Sequence, residues 1–304
     1  MSIIVFGSLN MDLVAQVPCL PQPGETLLGT DFITVPGGKG ANQAVAAARL
    51  GASTTMVGRV GDDGFGSLLC HSLTASGVVT DAVLTSPGPS GVALINVDEL
   101  GENQIVVVPG ANGKVDITDV DRLPLPDGSD GKTSILLMQF EIALTVVQAA
   151  AKRAKDHCVI VDPAPVQPHL PADFYGLVDI LTPNQTEASQ LSGVKVSSVA
   201  TAMEAAQVLR QRGASTVIVK LGRQGAVVAS QSEVFHRPAF QVDAVDTVAA
   251  GDAFNGGLAV ALAEEKSLRD AVEWASAVAA LSVMKAGAQP SMPTRTQVEH
   301  FLLS

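Results

Sequence analysis

Three segments of the chain combine glycine with side chains that bind polar ligands or carry protons. They are residues 7–12 (GSLNMD), 36–42 (PGGKGAN) and 246–257 (DTVAAGDAFNGG). In the third segment, small residues lead into an apolar helix whose first turn carries Asp252. Small residues let backbone amides at a helix start approach an anion closely, and the helix dipole favours negative charge there. A carboxylate at that point is either a helix cap, the usual reading of such a motif alone, or a base beside a bound phosphate.

The other two segments suit a neutral, hydroxyl-rich ligand. Residues 36–42 lack the spacing of a Walker A loop, and their glycines alone fit a flexible strand-to-helix connection equally well. The amide of Asn42 and the backbone of Gly38 and Gly40 match sugar hydroxyls better than a polyphosphate. Asn10 and Asp12 follow the first strand, where polar side chains of an open α/β sheet usually face the ligand. Taken alone, they are equally typical of a turn.

The elements that must position these residues alternate between strands and helices. Apolar runs predict strands at 3–6, 54–60, 134–138, 158–162, 178–182 and 216–220. Helices are predicted at 41–50, about 144–155, 185–192, 198–212, from 250 to about 285, and 294–303. Because the strands are apolar throughout rather than alternating, they indicate a parallel sheet covered on both faces.

Two β-rich insertions interrupt this alternation. Residues 11–36 hold Pro18, Pro21 and Pro23 and then a short β-like run. Residues 91–109 hold two apolar runs, 91–97 and 104–108, joined by a polar turn. The second insertion predicts an antiparallel hairpin. Together the insertions predict a small β lid whose apolar face is covered by a ligand or by a second subunit.

Composition excludes several classes of protein. The 304 residues carry a net charge of −11 and only 4% aromatic residues, which argues against binding to nucleic acid or to an anionic membrane surface. The three cysteines, Cys19, Cys70 and Cys158, are scattered and have no metal-binding spacing, as in a reduced cytosolic protein. The start of the sequence lacks the pattern of a signal peptide, and the apolar stretch between Glu273 and Lys285 is too short to cross a bilayer. A cytoplasmic protein without membrane contact is expected.

Seven segments occur together in an order that resembles the ribokinase family of carbohydrate kinases. They are residues 7–12 (GSLNMD), 37–51 (GGKGANQAVAAARLG), 61–66 (GDDGFG), 162–165 (DPAP), 183–187 (PNQTE), 246–257 (DTVAAGDAFNGG) and 287–293 (GAQPSMP). The combination of GGKGANQA with GAQPSMP is similar to the ribose-specific members rather than to fructokinases or adenosine kinases. The resemblance covers residues 1–304 as a single domain. It implies a three-layer α/β sandwich with a mainly parallel central sheet and a small β lid.

The resemblance also implies a reaction, the transfer of the γ-phosphoryl group of ATP to the 5-hydroxyl of D-ribose. Asp252 matches the catalytic base, and the amides of Ala249, Ala250, Gly251 and Asp252 match an anion hole for the transferring group. The ribose-binding positions are matched by Asn10, Asp12, Gly38, Lys39, Asn42, Glu141 and also Asp252. Asp12 is expected to accept hydrogen bonds from two ring hydroxyls.

Nucleotide and cation positions are implied in the same way. Asn184, Lys220, Leu221, Gly222, Gly225, Gly251 and Ser276 match nucleotide-binding positions, and Glu187 matches a residue that holds Mg²⁺ through water. A K⁺ site is matched by Asp246, Val248, Ser282, Lys285, Gly287 and Ser291, mostly through backbone carbonyls. Three positions depart from the family pattern. Lys220 stands where threonine is common and adds a cation near the phosphates, Ser276 stands where asparagine is usual, and Val248 replaces a common threonine.

Other functions remain to be weighed against this one. A kinase of the same fold acting on fructose, deoxyribose or a nucleoside is the main alternative, although a lid poor in aromatic residues disfavours a nucleoside. A sugar-binding protein without activity is disfavoured because Asp252 is present. A nicotinamide-dependent oxidoreductase is rejected because no G-x-G-x-x-G motif follows the first strand. The apolar lid runs and the resemblance together predict a homodimer joined through the lid.

Overall fold

A computed structural model describes residues 1–126, 134–167 and 169–303. The strands are β1 (Ser2–Phe6), β2 (Asn10–Gln16), β3 (Asp31–Gly37), β4 (Thr54–Gly61), β5 (Val79–Ser86), β6 (Gly91–Val97), β7 (Asn103–Val108), β8 (Ser134–Gln139), β9 (Cys158–Asp162), β10 (Ile180–Leu181), β11 (Thr216–Lys220), β12 (Ala226–Ala229) and β13 (Val234–Arg237). The helices are α1 (Lys39–Arg49), α2 (Gly64–Ala75), α3 (Ile117–Val120), α4 (Leu144–Arg153), α5 (Gln185–Ser192), α6 (Val199–Gln211), α7 (Ala250–Ala263), α8 (Leu268–Ser282) and α9 (Arg295–Leu303).

A central sheet of nine strands divides the molecule into layers. Its order is β13-β12-β11-β10-β9-β8-β1-β4-β5, and every neighbouring pair is parallel except those that β12 makes with β11 and β13. Strand β1 is buried on both faces: Ile3 and Val5 belong to one apolar core, while Ile4 and Phe6 belong to the other. Helices α1, α7 and α8 contribute to the first core and α4, α5 and α6 to the second, so the predicted three-layer α/β sandwich is confirmed.

The second sheet has four strands in the order β3-β2-β6-β7. Strand β2 pairs antiparallel with β3 and parallel with β6, and β6 and β7 form the predicted antiparallel hairpin. Residues two apart in a strand share a face of the sheet. The register therefore places Asp12 on the same face as a row of aliphatic side chains, which consists of Val14, Ile33, Ile95 and Ile105.

Several elements differ from the sequence prediction. The helical run expected from 250 to about 285 is two helices, because Glu265 adopts a left-handed conformation with φ 60° between α7 and α8. The strand expected at 178–182 is reduced to the two residues of β10, and α2, β5 and the β12–β13 hairpin had no counterpart in the prediction. Within the described residues, no helix is long and apolar enough to cross a membrane.

Candidate active site

The carboxylate of Asp252 lies in the first turn of α7 and is held by two amides from α1. Asn42 Nδ2 donates to Oδ2 at 3.0 Å, and Gln43 Nε2 donates to Oδ1 at 2.9 Å. Asp252 is only 4% exposed. Residues 210 positions apart in the sequence therefore meet in one place, and the glycine-rich loop before α1 shares a site with the start of α7.

Burial raises the pKa of Asp252 above its ordinary value of 3.8. The nearby Lys39 ammonium opposes this effect, the Asp162 carboxylate adds to it, and the hydrogen bonds from Asn42 and Gln43 favour the charged form. A carboxylate with a raised pKa is a stronger base than a free one, which suits removal of a proton from a hydroxyl.

The turn before Asp252 presents backbone amides rather than side chains. Ala249 adopts the left-handed conformation, with φ 58°, and directly precedes the first residue of α7. Holding a residue other than glycine there costs about 1–2 kcal/mol. The Ala250 amide donates to Thr247 O at 3.3 Å, whereas Gly251 and Asp252 lie in the first turn, where a helix has no carbonyl of its own to accept from the amides.

Asp12 faces the same site from the second sheet. Its half-buried carboxylate accepts no hydrogen bond from any described residue, and the Gly37 backbone packs so closely that a methyl group there would overlap it. Burial raises the pKa of Asp12 to about 7, and the carboxylates of Glu141 and Asp252 add to the rise while Lys39 opposes it. The chain thus keeps an unpaired acceptor at the inner end of β2.

Asn10 is oriented by a residue that the sequence reasoning missed. Asn112, which is 1% exposed, donates from Nδ2 to Asn10 Oδ1 at 2.7 Å and to Leu9 O at 3.0 Å, and its Oδ1 accepts from the Leu9 amide at 2.9 Å. Because Asn10 uses its oxygen on Asn112, its amide nitrogen is left to donate. The sequence signal was Asn112 between Gly110 and Gly113, directly after the β6–β7 hairpin.

Glu141 and Lys39 are the remaining residues of the predicted ribose-binding set. Glu141 accepts from the Ser8 hydroxyl and, at 3.0 Å, from the Lys39 amide at the start of α1. Burial lowers the pKa of Lys39, but the carboxylates of Asp252, Asp162, Glu141 and Glu187 outweigh burial and hold it above its ordinary value. Gly38, with φ +88°, makes the bend that brings these groups together, since a side chain there would meet the backbone of Leu9 and Asn10.

A cleft of about 470 Å³ opens on the other side of Asp252. It is lined by residues predicted for the nucleotide and the anion hole, among them Asn184, Glu187, Lys220, Gly222, Gly225, Ala249, Ala250, Gly251 and Ser276. Asp162 also lines it and forms an ion pair of 3.0 Å with Lys220. Leu221 is buried, and its amide donates to Gly225 O at 2.8 Å to close the turn after β11.

Comparison with known proteins shows the family to which the chain belongs. A family model described as "pfkB family carbohydrate kinase" matches residues 1–295. The chain belongs to the pfkB family of carbohydrate kinases. Ribokinases of Haemophilus influenzae and Bacillus subtilis are 41% and 43% identical to it, each over 99% of this chain and 98% and 99% of their own. The solved structure of Arabidopsis thaliana ribokinase, complexed with ribose and ATP, is 33% identical, with a TM-score of 0.88 over 99% of this chain and 98% of that one.

The residues that the pfkB resemblance assigned to K⁺ fall on two neighbouring loops. Asp246 accepts from the Val248 amide at 2.9 Å and from the Gly287 amide at 2.8 Å, so its carboxylate joins the loops. Ser282 and Ser291 are buried and donate to the carbonyls of Ala279 and Ala288, each at 2.8 Å, and the Lys285 amide donates to Ser282 O. In the part of the chain that the structure describes, no group of three or more His, Cys, Asp or Glu side chains is placed to hold a metal ion.

Two further polar residues at this pfkB site were not predicted. Gln43 is fully buried and donates from Nε2 to both Asp252 Oδ1 and Asp162 Oδ2, the latter at 3.1 Å. Asp162 was quoted only as part of the DPAP motif, without a role. Both contacts join segments that are more than 100 residues apart in the sequence. The spacing of residues along one sequence does not show that such segments meet.

Proposed function

We propose that this pfkB-family chain transfers the γ-phosphoryl group of ATP to the 5-hydroxyl of D-ribose, giving D-ribose 5-phosphate and ADP. The observation that carries the proposal is the position of Asp252, which borders the polar group around Asp12 on one side and the 470 Å³ cleft on the other. A base between two binding regions is what direct transfer from one substrate to the other requires. The ribokinase relatives and the structure with ribose and ATP support the choice of substrates.

The residues proposed to bind ribose offer it different hydrogen-bond donors and acceptors. Asp12 offers two carboxylate oxygens without partners and accepts from two ring hydroxyls, while Asn10 and Asn42 contribute amide groups. Lys39 and Glu141 add a donor and an acceptor, and the Gly38 bend exposes backbone to the sugar. Because these contacts are polar and the aliphatic row on the Asp12 face contains no aromatic side chain that would stack on a base, the arrangement favours a free pentose over a nucleoside.

The transfer step follows from the position of Asp252. Its carboxylate takes the proton of the 5-hydroxyl as the hydroxyl oxygen bonds to the γ-phosphorus, and the bond from that phosphorus to the bridging oxygen breaks to release ADP. The amides of Ala249, Gly251 and Asp252 stabilise the negative charge on the transferring group, and the Ala250 amide joins them on giving up its 3.3 Å bond to Thr247 O. Phosphoryl transfer depends mainly on alignment and charge stabilisation, and the start of α7 supplies both.

We assign the cations from the donors that are present. A divalent cation accompanies ATP in kinases of this kind, and we assign Mg²⁺ to Glu187, acting through water. Both Glu187 oxygens accept from Asn184, at 2.7 Å each, and each keeps a lone pair for a water molecule. Burial raises the pKa of Glu187 and Asp162 adds to the rise, so a cation there relieves their repulsion. The loops joined by Asp246 offer backbone carbonyls suited to K⁺.

The second sheet is proposed to act as a lid and to join two copies of the chain in a homodimer. Its row of aliphatic side chains is exposed at the outer strands, 48% at Ile33 and 52% at Ile105, on the face that carries Asp12. An equivalent row from a second copy covers this surface and closes the sugar site from outside. A cytoplasmic location is proposed as well, supported by the three free cysteines.

Release of ADP, measured by a coupled assay, tests the function. The assay compares ribose, 2-deoxyribose, fructose and adenosine as acceptors, with and without K⁺, and ribose is expected to give the highest kcat/KM. Asp252→Asn should fold and still bind ribose while turnover falls by about 100-fold or more, because the general base is lost. Full turnover in that variant would show that the base lies elsewhere, and a preference for another acceptor would overturn the assignment to ribose.

A further inference from the structure

The side chain of Lys220 ends beside the turn that precedes Asp252. Lys220 is the last residue of β11, and its ammonium lies 3.2 Å from the point that a Cβ on Gly251 would occupy. The side chain is 14% exposed and lines the cleft together with Glu187 and Asp252. The ammonium therefore borders the same space as the amides at the start of α7.

Asp162 holds this ammonium in place. The Nζ to Oδ1 distance is 3.0 Å, and the Asp162 side chain is only 3% exposed. An ammonium has three N–H donors, and Asp162 is the one described carboxylate with which it pairs, so donors remain for a ligand in the cleft. A lysine that served only to neutralise a buried carboxylate would not need to border the cleft.

The charges around the cleft call for a cation at this point. Asp162, Glu187 and Asp252 line it, and the cations that line it with them are Lys39, Lys220 and Arg223. A polyphosphate entering the cleft adds several negative charges beside these carboxylates. Lys39 already interacts with four carboxylates, those of Asp252, Asp162, Glu141 and Glu187. The Lys220 ammonium is the cation that the structure places against Gly251 in the α7 turn.

One amide joins this cation to the base. Gln43 Nε2 donates to Oδ2 of Asp162 and to Oδ1 of Asp252, so the Lys220–Asp162 pair and the base share a single buried side chain. The position of the ammonium is thereby fixed relative to the carboxylate that takes the proton.

We propose that Lys220 is a catalytic cation that binds the β- and γ-phosphoryl oxygens of the nucleotide, and that Asp162 is the positioning residue that holds its ammonium against the α7 turn. The inference rests on the proposed function, since it assigns the cleft to the nucleotide. It goes further by giving one side chain a charge-stabilising role beside the backbone amides.

Binding measurements test the proposal without requiring turnover. Dissociation constants are measured by calorimetry for the Mg²⁺ complex of a non-hydrolysable ATP analogue and for adenosine. Lys220→Met keeps the length of the side chain and removes the charge. It should weaken binding of the analogue by about 10- to 100-fold, the range expected for a charged hydrogen bond, and leave adenosine binding unchanged. Lys195→Met, which removes an exposed ammonium elsewhere, should change neither.

A double variant separates binding of phosphate from neutralisation of Asp162. Asp162→Asn combined with Lys220→Met leaves no buried charge unpaired, so it also serves if the single variant fails to fold. Analogue binding should stay as weak as in Lys220→Met. A return to the affinity of the unmodified chain would overturn the proposal, as would equal weakening of adenosine and analogue in the single variant.

The result also distinguishes this inference from the proposed function. If the unmodified chain binds no ATP analogue, the proposed function and the proposed role of Lys220 are both overturned. If it binds the analogue and phosphorylates ribose while Lys220→Met binds the analogue normally, only the role of Lys220 is overturned. If Lys220→Met weakens the analogue as expected but no sugar is phosphorylated, only the assigned reaction fails.

Discussion

Replacing Asp12 with asparagine should stabilise the sugar-free protein while weakening its binding of ribose. The unpaired carboxylate has a pKa raised from 3.8 to about 7, with burial as the largest cause. A raised pKa means that the folded state holds this proton more tightly than the unfolded state. Its ionisation therefore opposes folding increasingly as the pH rises from about 4 to about 7, and the full penalty is present above 7.

The magnitude follows from the difference between the two pKa values. Each pKa unit corresponds to about 1.36 kcal/mol, so Asp12 destabilises the sugar-free fold by about 4 kcal/mol at pH 8 and by about 2 kcal/mol at pH 5. Asp12→Asn removes the charge and nearly preserves the shape. The free energy of unfolding should rise by those amounts at the two pH values.

Urea denaturation followed by the fluorescence of the single tryptophan, Trp274, measures the effect. The experiment is run at pH 5 and pH 8, and Asp81→Asn on β5 provides the same chemical change at an exposed position. Added ribose should stabilise the unmodified chain and have little effect on Asp12→Asn. A variant no more stable than the unmodified chain at pH 8, or a gain that is equal at both pH values, would refute the reasoning.

Three further predictions concern the sugar site and the second sheet. Asn112→Ala should raise the KM for ribose by about 10-fold, through loss of the hydrogen bond that orients Asn10; an unchanged KM measured by the ADP-release assay would contradict that role. The KM for ribose should rise as the pH falls below about 7, because Asp12 then gains a proton and loses an acceptor; a flat profile between pH 5 and 8 would show that Asp12 does not bind the sugar in its charged form. Ile105→Asp should convert the dimer into a monomer in sedimentation experiments, since it places a charge in the row of aliphatic side chains, whereas a chain that is already monomeric at micromolar concentration would rule out the dimer.

The sequence predicted the six inner strands of the central sheet, because each is a continuous apolar run, but it missed β5, β12 and β13 at the two ends of the sheet. Continuous apolar runs such as 134–138 and 216–220 have few alternatives to a buried strand, and both are present. The break between α7 and α8 was missed, since Glu265 takes a left-handed conformation without being glycine. Helix α2 was missed because Gly64 and Gly66 weaken its first turn, which Asp63 stabilises by accepting from the Gly66 amide at 2.9 Å.

The sequence predicted those residues of the candidate site that lie in the ordered motifs. The motifs pointed to Asp252, to Asn42, which donates to its carboxylate, and to Asp12, whose carboxylate lies close enough for the two charges to interact. The residues that orient them were not predictable, because Gln43 and Asn112 act through hydrogen bonds to partners about 100 or more positions away. Such contacts depend on the packing of whole elements and leave no local pattern. The roles of individual site residues stay predictions until the variants are measured.

The attachment of the second sheet has a mechanical consequence. Asn10 is the first residue of β2, and Asn112, which donates a hydrogen bond to it, lies just beyond the end of β7. The chain therefore enters and leaves the second sheet at the same end, which can act as a pivot. The outer end of β2 lies about 20 Å from that pivot, given six steps of about 3.3 Å between its seven residues. Swinging of the sheet moves its rim far and its root little. If the second sheet is the proposed lid, sugar would enter and leave past the moving rim while the residues predicted to bind it stay nearly in place.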